Sequence, residues 1–257
     1  MQNIDALYLL QPVVTIAFSA GLVIHWHLKR RFTALALLCS LLAYGGAIAC
    51  KFIFQAITFN ALMVGFHGDL SILGAYFGIQ TVVFEVGGAY LVAKLAVSRG
   101  KLEAGDAAAY GLGLAFWENA GYLGVLGIFS LLSIYLTFSA GTISSLELYS
   151  NLITNRPTLF YPPLQALPLI GFSILERVSS LLFHFCWGYL CLLSASTHNR
   201  RYFLLALPMG LLDFFVPFAN YFGIPFFELF IYVLGLSTLG LTLFITKEAR
   251  RSAPRHP

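Results

Sequence analysis

Four ionisable side chains lie within separate apolar stretches of this 257-residue sequence. They are Glu85, Glu118, His184 and Asp213. A charged residue at the centre of a membrane helix costs roughly 3 kcal/mol on insertion scales, so such a residue normally has a partner or a function. A carboxylate that is held away from bulk solvent but given one water molecule can act as a general base and then as an acid. The four positions therefore predict proton chemistry within an apolar region.

The stretch AFWENAGYLG, Ala115–Gly124, supplies groups that hydrolysis of an acyl bond requires. Glu118 can take a proton from water, while the amide of Asn119 or the imidazole of His184 can donate to a developing oxyanion. Asp213 is expected to orient either the histidine or a water molecule. Three of these groups, His184, Glu118 and Asp213, could instead bind a metal ion, but a single histidine makes that interpretation weaker. We therefore predict catalytic roles for all four residues, with neither a metal ion nor a cofactor.

A second set of charged residues is predicted nearer to one end of the apolar segments. It consists of Lys51, Glu176, Arg177 and Glu228. Because this set contains both signs of charge, an ion pair of Glu176 with Lys51 or Arg177 is the expected structural role. A helix turns by about 100° per residue, so Arg177, Ser180 and His184 form one stripe. We predict that this stripe connects the two sets and that Glu176 and Arg177 support the catalytic residues.

The elements that must position these residues are membrane-spanning helices. The chain is 59% hydrophobic and only 10% charged, with a mean hydropathy of +0.82, whereas soluble domains carry roughly 25% charged residues. The net charge of +4 does not indicate a nucleic-acid partner, because the basic residues fall at the ends of apolar segments. The four cysteines lie in apolar runs without CxxC spacing, so neither a disulfide framework nor a zinc site is expected. The expected partner of the chain's surface is membrane lipid.

Seven segments are long enough to cross a hydrocarbon core of about 30 Å, which requires roughly 20 apolar residues per helix. They are predicted at about 6–27, 32–58, 70–96, 106–137, 165–197, 202–222 and 225–246. At about 1.5 Å per residue, Glu118 lies about 18 Å deep and Asp213 about 17 Å deep from the same side. His184 and Glu85 lie at a comparable depth. The predicted fold is an all-α polytopic membrane protein of about seven transmembrane helices, a single domain over 1–257, with a polar midplane cavity.

The basic residues indicate how these helices are oriented. They follow the first, third, fifth and seventh segments and are Lys29, Arg30, Arg31, Lys94, Arg99, Lys101, Arg200, Arg201, Lys247, Arg250, Arg251 and Arg255. The alternate connections contain only Arg156. By the positive-inside rule, we expect the N-terminus outside and the C-terminus, with a basic tail at 247–257, in the cytoplasm. The 138–164 connection is expected to lie at the outer interface with a short helix. The plasma membrane of a prokaryote is the expected location.

Two stretches resemble motifs of a group of membrane proteases. YGLGLAFWENAGYLG (Tyr110–Gly124) resembles the glycine-rich Glu-Asn helix of PrsW-type proteases, and ERVSSLLFHFCWGYL (Glu176–Leu190) is similar to the Arg-then-His helix that follows it in those proteins. FEVGGAYLVAK before them and MGLLDFF after them complete a serial arrangement similar to that of YhfC-type proteins. Both types belong to the wider CAAX-protease and bacteriocin-processing group of glutamic intramembrane proteases. The resemblance covers about residues 80–220.

The resemblance implies an intramembrane protease whose substrate is a membrane protein or peptide. In that group the motif glutamate activates water for hydrolysis of a peptide bond, a role that would fall to Glu118. Asn119 and His184 would position the water or donate to the oxyanion, and Asp213 would replace the histidine or asparagine of the last motif. The Glu-Glu pair of the group does not precede the fourth segment. Only Glu85 stands in that neighbourhood, and it is expected to support the site.

Two other classes of protein fit the same residues. A proton-coupled transporter or channel would also place acids and a histidine inside the membrane, although no repeat relates the two halves of this sequence. A non-catalytic seven-helix membrane protein would fit the number and orientation of the helices alone. Cleavage of a membrane peptide separates the protease from both.

Overall fold

The computed structural model describes residues 4–29, 32–66 and 69–252, and within those ranges every regular element is a helix. Eight longer helices are α1 (Ala6–Leu28), α2 (Ala34–Phe66), α3 (Leu70–Ser98), α4 (Ala104–Ala140), α5 (Ile143–Asn155), α6 (Pro163–Thr197), α7 (Arg200–Phe222) and α8 (Ile224–Ser252). In this part of the chain, all of them except α5 are long and apolar enough to cross a membrane. An all-α polytopic membrane protein with seven candidate spans is therefore confirmed.

The polar residues between the apolar segments set where two of the helices begin. Asp69 accepts hydrogen bonds from the backbone N–H groups of Ser71 at 2.8 Å and Ile72 at 3.2 Å, which caps the start of α3. Asn199 caps α7 in the same way through the backbone N–H of Arg201 at 3.1 Å. The spans begin and end close to the predicted segments, except that α2 continues well beyond its predicted end, to Phe66.

Some of the basic residues that predict the orientation lie outside the described residues. Arg30, Arg31 and Arg255 are among them, as is the end of the predicted tail at 253–257. The first part of that tail continues α8 as a helix to Ser252.

The buried core lies in the half of the bundle that contains the basic connections. It is built from α2, α3, α4, α6 and α7, with many small residues, among them Ala36, Ala89, Ala93, Ala107, Ala109, Ala195 and Ala206. Small side chains let helices approach closely inside a membrane, where packing must drive association. At the crossing of α4 and α6, a Cβ on Gly188 would lie 2.7 Å from the Cα of Gly111. Similarly, α3 meets α7 where a Cβ on Gly78 would lie 3.2 Å from the backbone nitrogen of Phe214. Two closely packed helix pairs result, α4–α6 and α3–α7.

Three helices depart from α geometry where they contain the predicted acids. The stretches are Thr81–Val86 in α3 and Trp117–Gly124 in α4, which are π-helical, and Leu211–Phe218 in α7, which is 3₁₀-helical. They contain Glu85, Glu118 and Asp213. Short π-helical segments are rare in proteins and are found frequently at functional sites. In contrast, α6 is α-helical along its whole length.

The connection between α4 and α6 contains α5, as predicted for the outer loop. Leu152 of α5 is buried with Phe138 of α4 and with Ile4 at the start of the described chain. The hydroxyl of Tyr135 donates a hydrogen bond of 2.5 Å to the backbone oxygen of Ile4. The helix α5 thus closes a small second core at the end of the bundle away from the basic connections.

Candidate active site

The polar side chains of the bundle line a cavity of about 360 Å³ between α3, α4, α6, α7 and α8. The charged or ionisable residues in its lining are Glu85, Glu118, Glu176, Arg177, His184, Asp213 and Glu228. The lining extends from Trp187 and Met209, beside the core, to Asn220 and Ile224, beside the α7–α8 connection. One water molecule occupies about 30 Å³ in the liquid. The cavity therefore has room for water together with part of a larger ligand.

Glu118 lines the cavity, and its two carboxylate oxygens differ in the hydrogen bonds that they accept. Its Oε2 lies 2.5 Å from Nδ1 of His184 and accepts a hydrogen bond of 2.5 Å from the hydroxyl of Ser180. Its Oε1 lies 3.8 Å from Nη1 of Arg177 and, among the described residues, accepts no hydrogen bond. An ionised carboxylate has about four lone-pair sites. Oε1 therefore retains the capacity to bind a water molecule.

His184 lies between two carboxylates. Its Nδ1 lies 2.5 Å from Oε2 of Glu118 and 3.0 Å from the backbone oxygen of Ser180, and its Nε2 lies 3.1 Å from Oε2 of Glu85. The indole of Trp187, with ring centroids 4.0 Å apart, and the edge-on ring of Tyr44 pack against the imidazole. Because an ionised carboxylate only accepts hydrogen bonds, both contacts are satisfied when the imidazole carries two protons or when one acid is protonated. The three groups then hold one proton more than a neutral imidazole between two ionised carboxylates.

Glu85, Glu118, His184 and Asp213, with the residues that bond to them, form an inner cluster. Lys51 belongs to this inner cluster and not to the second set of charged residues, in which the sequence places it. Its Nζ donates to Oε1 of Glu85 at 2.5 Å and to the hydroxyl of Thr81 at 2.9 Å, and it lies 3.7 Å from Oδ2 of Asp213. The Thr81 hydroxyl donates a hydrogen bond to the same Asp213 oxygen. A long lysine side chain reaches well away from its own turn of helix, and a depth counted from backbone positions omits that reach. The predicted alternative of a Lys51–Glu176 pair is therefore wrong.

Arg177 and Glu176 form the ion pair that was the other predicted alternative. The Arg177 guanidinium also faces Glu118, and its Nη1 is buried without a hydrogen-bond partner in the described part of the chain. The same holds for Oε2 of Glu228, which is 6% exposed and lines the cavity together with Glu176 and Arg177. This end of the cavity thus contains two buried polar groups with unused hydrogen-bonding capacity.

Asn119 does not reach the cavity. It is fully buried, its side-chain amide donates a hydrogen bond of 3.0 Å to the backbone oxygen of Ala115, and it is absent from the cavity lining. Adjacent residues on a helix point about 100° apart. The orientation that brings Glu118 to the cavity therefore turns Asn119 towards the neighbouring helices.

Asp213 lines the cavity but bonds to the lysine and threonine of the inner cluster instead of His184. The orienting contact with the imidazole that was expected from Asp213 is made by Glu85. The predicted stripe is present, since Arg177, Ser180 and His184 all line the cavity.

Thr81 is the residue of this cluster that sequence reasoning missed. It precedes Glu85 by four residues, and residues at that spacing share a helix face. The position of Lys51 could have been inferred from charge, because intramembrane charges usually pair and the acids of the inner cluster require a cation.

Across residues 4–29, 32–66 and 69–252, no group of three or more His, Cys, Asp or Glu side chains is arranged to hold a metal ion. No protein-family model, curated protein or solved structure matches this chain. The contacts in the cavity and the resemblance of the motifs are therefore the observations that bear on its function.

Proposed function

We propose that the chain is an intramembrane protease in which Glu118 activates water to hydrolyse a peptide bond of a membrane-associated protein or peptide. The observation that carries the proposal is the 2.5 Å contact between Glu118 Oε2 and His184 Nδ1, in a residue that lines the cavity and whose Oε1 accepts no hydrogen bond from the residues that the structure describes. A general base needs a free lone pair within hydrogen-bonding reach of the proton that it abstracts, and Oε1 provides one. The resemblance to PrsW-type and YhfC-type motifs supports the same assignment.

The proposed reaction begins with a water molecule bound to Oε1 of Glu118. The water oxygen attacks the carbonyl carbon of the substrate while one water proton passes to Oε1. The C=O double bond opens, and Nη1 of Arg177, which has no hydrogen-bond partner among the described residues, donates to the oxygen that gains charge. Glu118 then gives its proton to the leaving nitrogen as the carbonyl re-forms and the C–N bond breaks. The products are a carboxylic acid and an amine, and the carboxylate of Glu118 is restored.

The other cluster residues support this cycle by balancing charge. When Glu118 takes a proton, it no longer compensates a positive charge on His184, but Glu85 on the second ring nitrogen still does. Lys51 in turn compensates Glu85 and Asp213. In this proposal, Glu118 and Arg177 contact the reacting atoms, and the histidine and the remaining acids are positioning residues. Asn119 has no part in the reaction.

We also infer the location from the basic residues, namely the plasma membrane of a prokaryote with the N-terminus outside. In that orientation the α7–α8 connection, beside which the cavity ends, faces the outside. A substrate would then approach Glu118 from the outer half of the bilayer.

The first prediction tests Glu118 as the base. Glu118→Gln keeps the volume of the side chain and removes its ability to take a proton. Hydrolysis should therefore fall by at least about 100-fold. The variant should fold as well as the parent protein, because Glu85 and Glu176 still pair with His184 and Arg177. Purified protein in liposomes would be given a panel of membrane peptides, with the products read by mass spectrometry.

Glu147→Gln, at an exposed acid on α5, is the matched control and should retain full activity. Equal cleavage by the parent and Glu118→Gln proteins would remove Glu118 as the base. Absence of cleavage by the parent on the whole panel would contradict the protease.

A proton-coupled transporter is the second candidate, and an unbroken series of contacts between ionisable groups favours it. The series is Asp213, Lys51, Glu85, His184, Glu118, Arg177 and Glu176. Intramembrane acids and histidines in such series act as proton relays in pumps and transporters. For a transporter, liposomes containing the parent would move protons in a manner that Glu118→Gln abolishes, and no peptide would be cleaved.

A further inference from the structure

The end of the cavity beside the α7–α8 connection contains an acid that the proposed hydrolysis does not use. Glu228 lies in the second turn of α8, is 6% exposed and lines the cavity. Its Oε2 has no hydrogen-bond partner among the residues that the structure describes. Buried polar atoms are nearly always paired, and a buried carboxylate oxygen without a donor is costly. The missing donor therefore points to a group that enters with a ligand.

The charges around Glu228 favour a cation as that group. Glu176 and Arg177 line the same cavity. Arg177 is already shared between Glu176 and Glu118, and within the described residues Glu228 Oε2 receives no hydrogen bond from it. The side chain of Glu176 is 46% exposed and has capacity for a second donor. A cationic donor supplies the missing charge, and its hydrogen bonds to carboxylates are about twice as strong as neutral ones.

The neighbouring side chains add features that suit a cation. Phe227 also lines the cavity and is 7% exposed, and an aromatic face close to a desolvated cation attracts it. Asn220 and Ser173 line the same region with neutral oxygen acceptors. An ammonium group has three N–H donors to distribute, and Glu228, Glu176, Asn220 and Ser173 all contribute side-chain oxygens to the lining.

We propose that Glu228, with Glu176 and Phe227, forms a subsite for the positively charged side chain of a basic residue in the peptide that enters the cavity. The inference rests on the proposed function and names the kind of substrate that it would take.

An aminophospholipid headgroup carries the same ammonium chemistry. The peptide is the favoured source because the subsite and Glu118 line one continuous cavity. A peptide whose side chain is bound at Glu228 can therefore extend through the same cavity to Glu118, the proposed base.

The test is a binding measurement that needs no hydrolysis. The full chain carrying Glu118→Gln would be placed in nanodiscs of phosphatidylglycerol, which contains no amine. It would be titrated with two fluorescent apolar peptides that differ only in lysine or norleucine at one position. We expect the lysine peptide to bind at least about tenfold more tightly, the factor that about 1.4 kcal/mol provides. Adding Glu228→Gln should abolish this preference and leave the affinity for the norleucine peptide unchanged, whereas adding Glu147→Gln should preserve the preference.

Equal affinities for the two peptides, or a lysine preference that survives Glu228→Gln, would overturn the proposal. Loss of the preference when phosphatidylethanolamine replaces phosphatidylglycerol would overturn it as well, because the headgroup would then be the occupant. Should Glu228→Gln fail to fold, Glu228→Asp withdraws the carboxylate by one methylene and should weaken the preference. An unchanged preference in that variant would count against the subsite.

The binding result is independent of the proposed hydrolysis. A lysine preference together with no cleavage by the parent would contradict Glu118 as the base and support the subsite. Cleavage by the parent without any lysine preference would support the base and overturn the subsite.

Discussion

Lys51 contacts two carboxylates that would otherwise repel each other. Its Nζ lies 2.5 Å from Glu85 and 3.7 Å from Asp213, and its side chain is only 14% exposed. The Glu85 side chain is 8% exposed, so water screens the Lys51–Glu85 pair little, whereas the Asp213 side chain is 40% exposed and its charge is screened more. Removing one member of a buried ion pair leaves an uncompensated charge, which typically costs about 3–5 kcal/mol. Lys51 thus compensates Glu85, the acid on Nε2 of His184, while Arg177 faces Glu118 on the other side of the imidazole.

Lys51→Met is expected to lower the free energy of unfolding by about 3 kcal/mol, because Glu85 and Asp213 lose their shared cation. Adding Glu85→Gln should recover part of the loss, since one of the two unpaired charges is then removed. Thermal unfolding of the purified protein in detergent measures both effects. Lys94→Met, at an exposed lysine of α3, is the control and should change stability by less than about 0.5 kcal/mol. A Lys51→Met protein as stable as the parent would show that the acids do not depend on this lysine.

Arg177 has two tasks that a lysine in its place could not perform together. Its guanidinium pairs with Glu176, and its Nη1, to which no described residue is hydrogen-bonded, is available to a substrate oxygen. Arg177→Lys keeps the charge but loses the planar fork of donors. Its yield should be near that of the parent, while its rate of hydrolysis should fall by about 100-fold.

Arg177→Leu should lower the yield of folded protein as well, because Glu176 and Glu118 lose a cation. Arg156→Lys, outside the cavity lining, is the control and should leave both yield and rate unchanged. Full hydrolysis by Arg177→Lys would reduce Arg177 to a structural partner.

The convergence of Glu85, Glu118 and His184 could be predicted because ionisable groups in apolar helices must find each other. Their depth along the helices was enough to place them together. Asn119 was predicted beside them because it is adjacent in sequence, yet adjacent residues do not share a helix face. The position of Lys51 could not be obtained from backbone depth, because its side chain is long enough to cross between levels.

At the scale of the helices, regular geometry decides which residues can be placed from sequence. The stripe of Arg177, Ser180 and His184 was predicted correctly because α6 is α-helical throughout. In α3 and α4, the π-helical stretches add a residue to a turn. An assignment of helix faces that assumes about 100° per residue is therefore incorrect for residues beyond such a stretch. These stretches make up well under 1% of residues in proteins, and no residue in either stretch signals one. The facing of Glu85 and Glu118 therefore depends on tertiary packing that the sequence does not display.

The crossing of α4 and α6 is expected to be intolerant of even one methyl group. A Cβ on Gly111 would lie 2.9 Å from the backbone nitrogen of Tyr189, so Gly111→Ala must push the helices apart. Overpacking of this kind costs about 1–3 kcal/mol, and the separation of Glu118 from His184 would increase with it. We expect a lower unfolding temperature in detergent and a lower rate of hydrolysis.

Gly171→Ala, at a glycine of α6 with no atom within 4 Å of its would-be Cβ, is the matched control. It should leave both quantities unchanged. A Gly111→Ala protein indistinguishable from this control would show that the crossing is looser than the structure indicates.

At the scale of the whole molecule, one half of the bundle is a packed core and the other half contains the cavity. The core occupies the half with the basic connections, and the cavity lies between that core and the α7–α8 connection. Composition and segment length were sufficient to predict seven spans, because hydrocarbon thickness fixes the length of a helix. The division into halves could not be predicted, because it depends on which helices meet at glycine contacts.

The orientation of the bundle can be tested with two single cysteines. Cys50 would first be replaced, since it is the exposed one of four cysteines and the other three are buried. Ser150→Cys on α5 should then react with a membrane-impermeant maleimide added to intact cells, whereas Ser98→Cys at the end of α3 should react only after the cells are opened. The basic residues beside α3 motivate this assignment. Labelling in the reverse order would place the N-terminus in the cytoplasm.

The glycine contacts also have a mechanical consequence. They join α4 to α6, which contain Glu118 and His184, and α3 to α7, which contain Glu85 and Asp213. A sliding of one pair against the other changes the 3.1 Å distance between His184 and Glu85 and leaves the distance between Glu118 and His184 the same. Because Glu85 is one of the two carboxylates that balance a positive charge on His184, such a displacement would change the charge balance beside Glu118. The packing between the two helix pairs would then couple helix motion to the electrostatics of the proposed base.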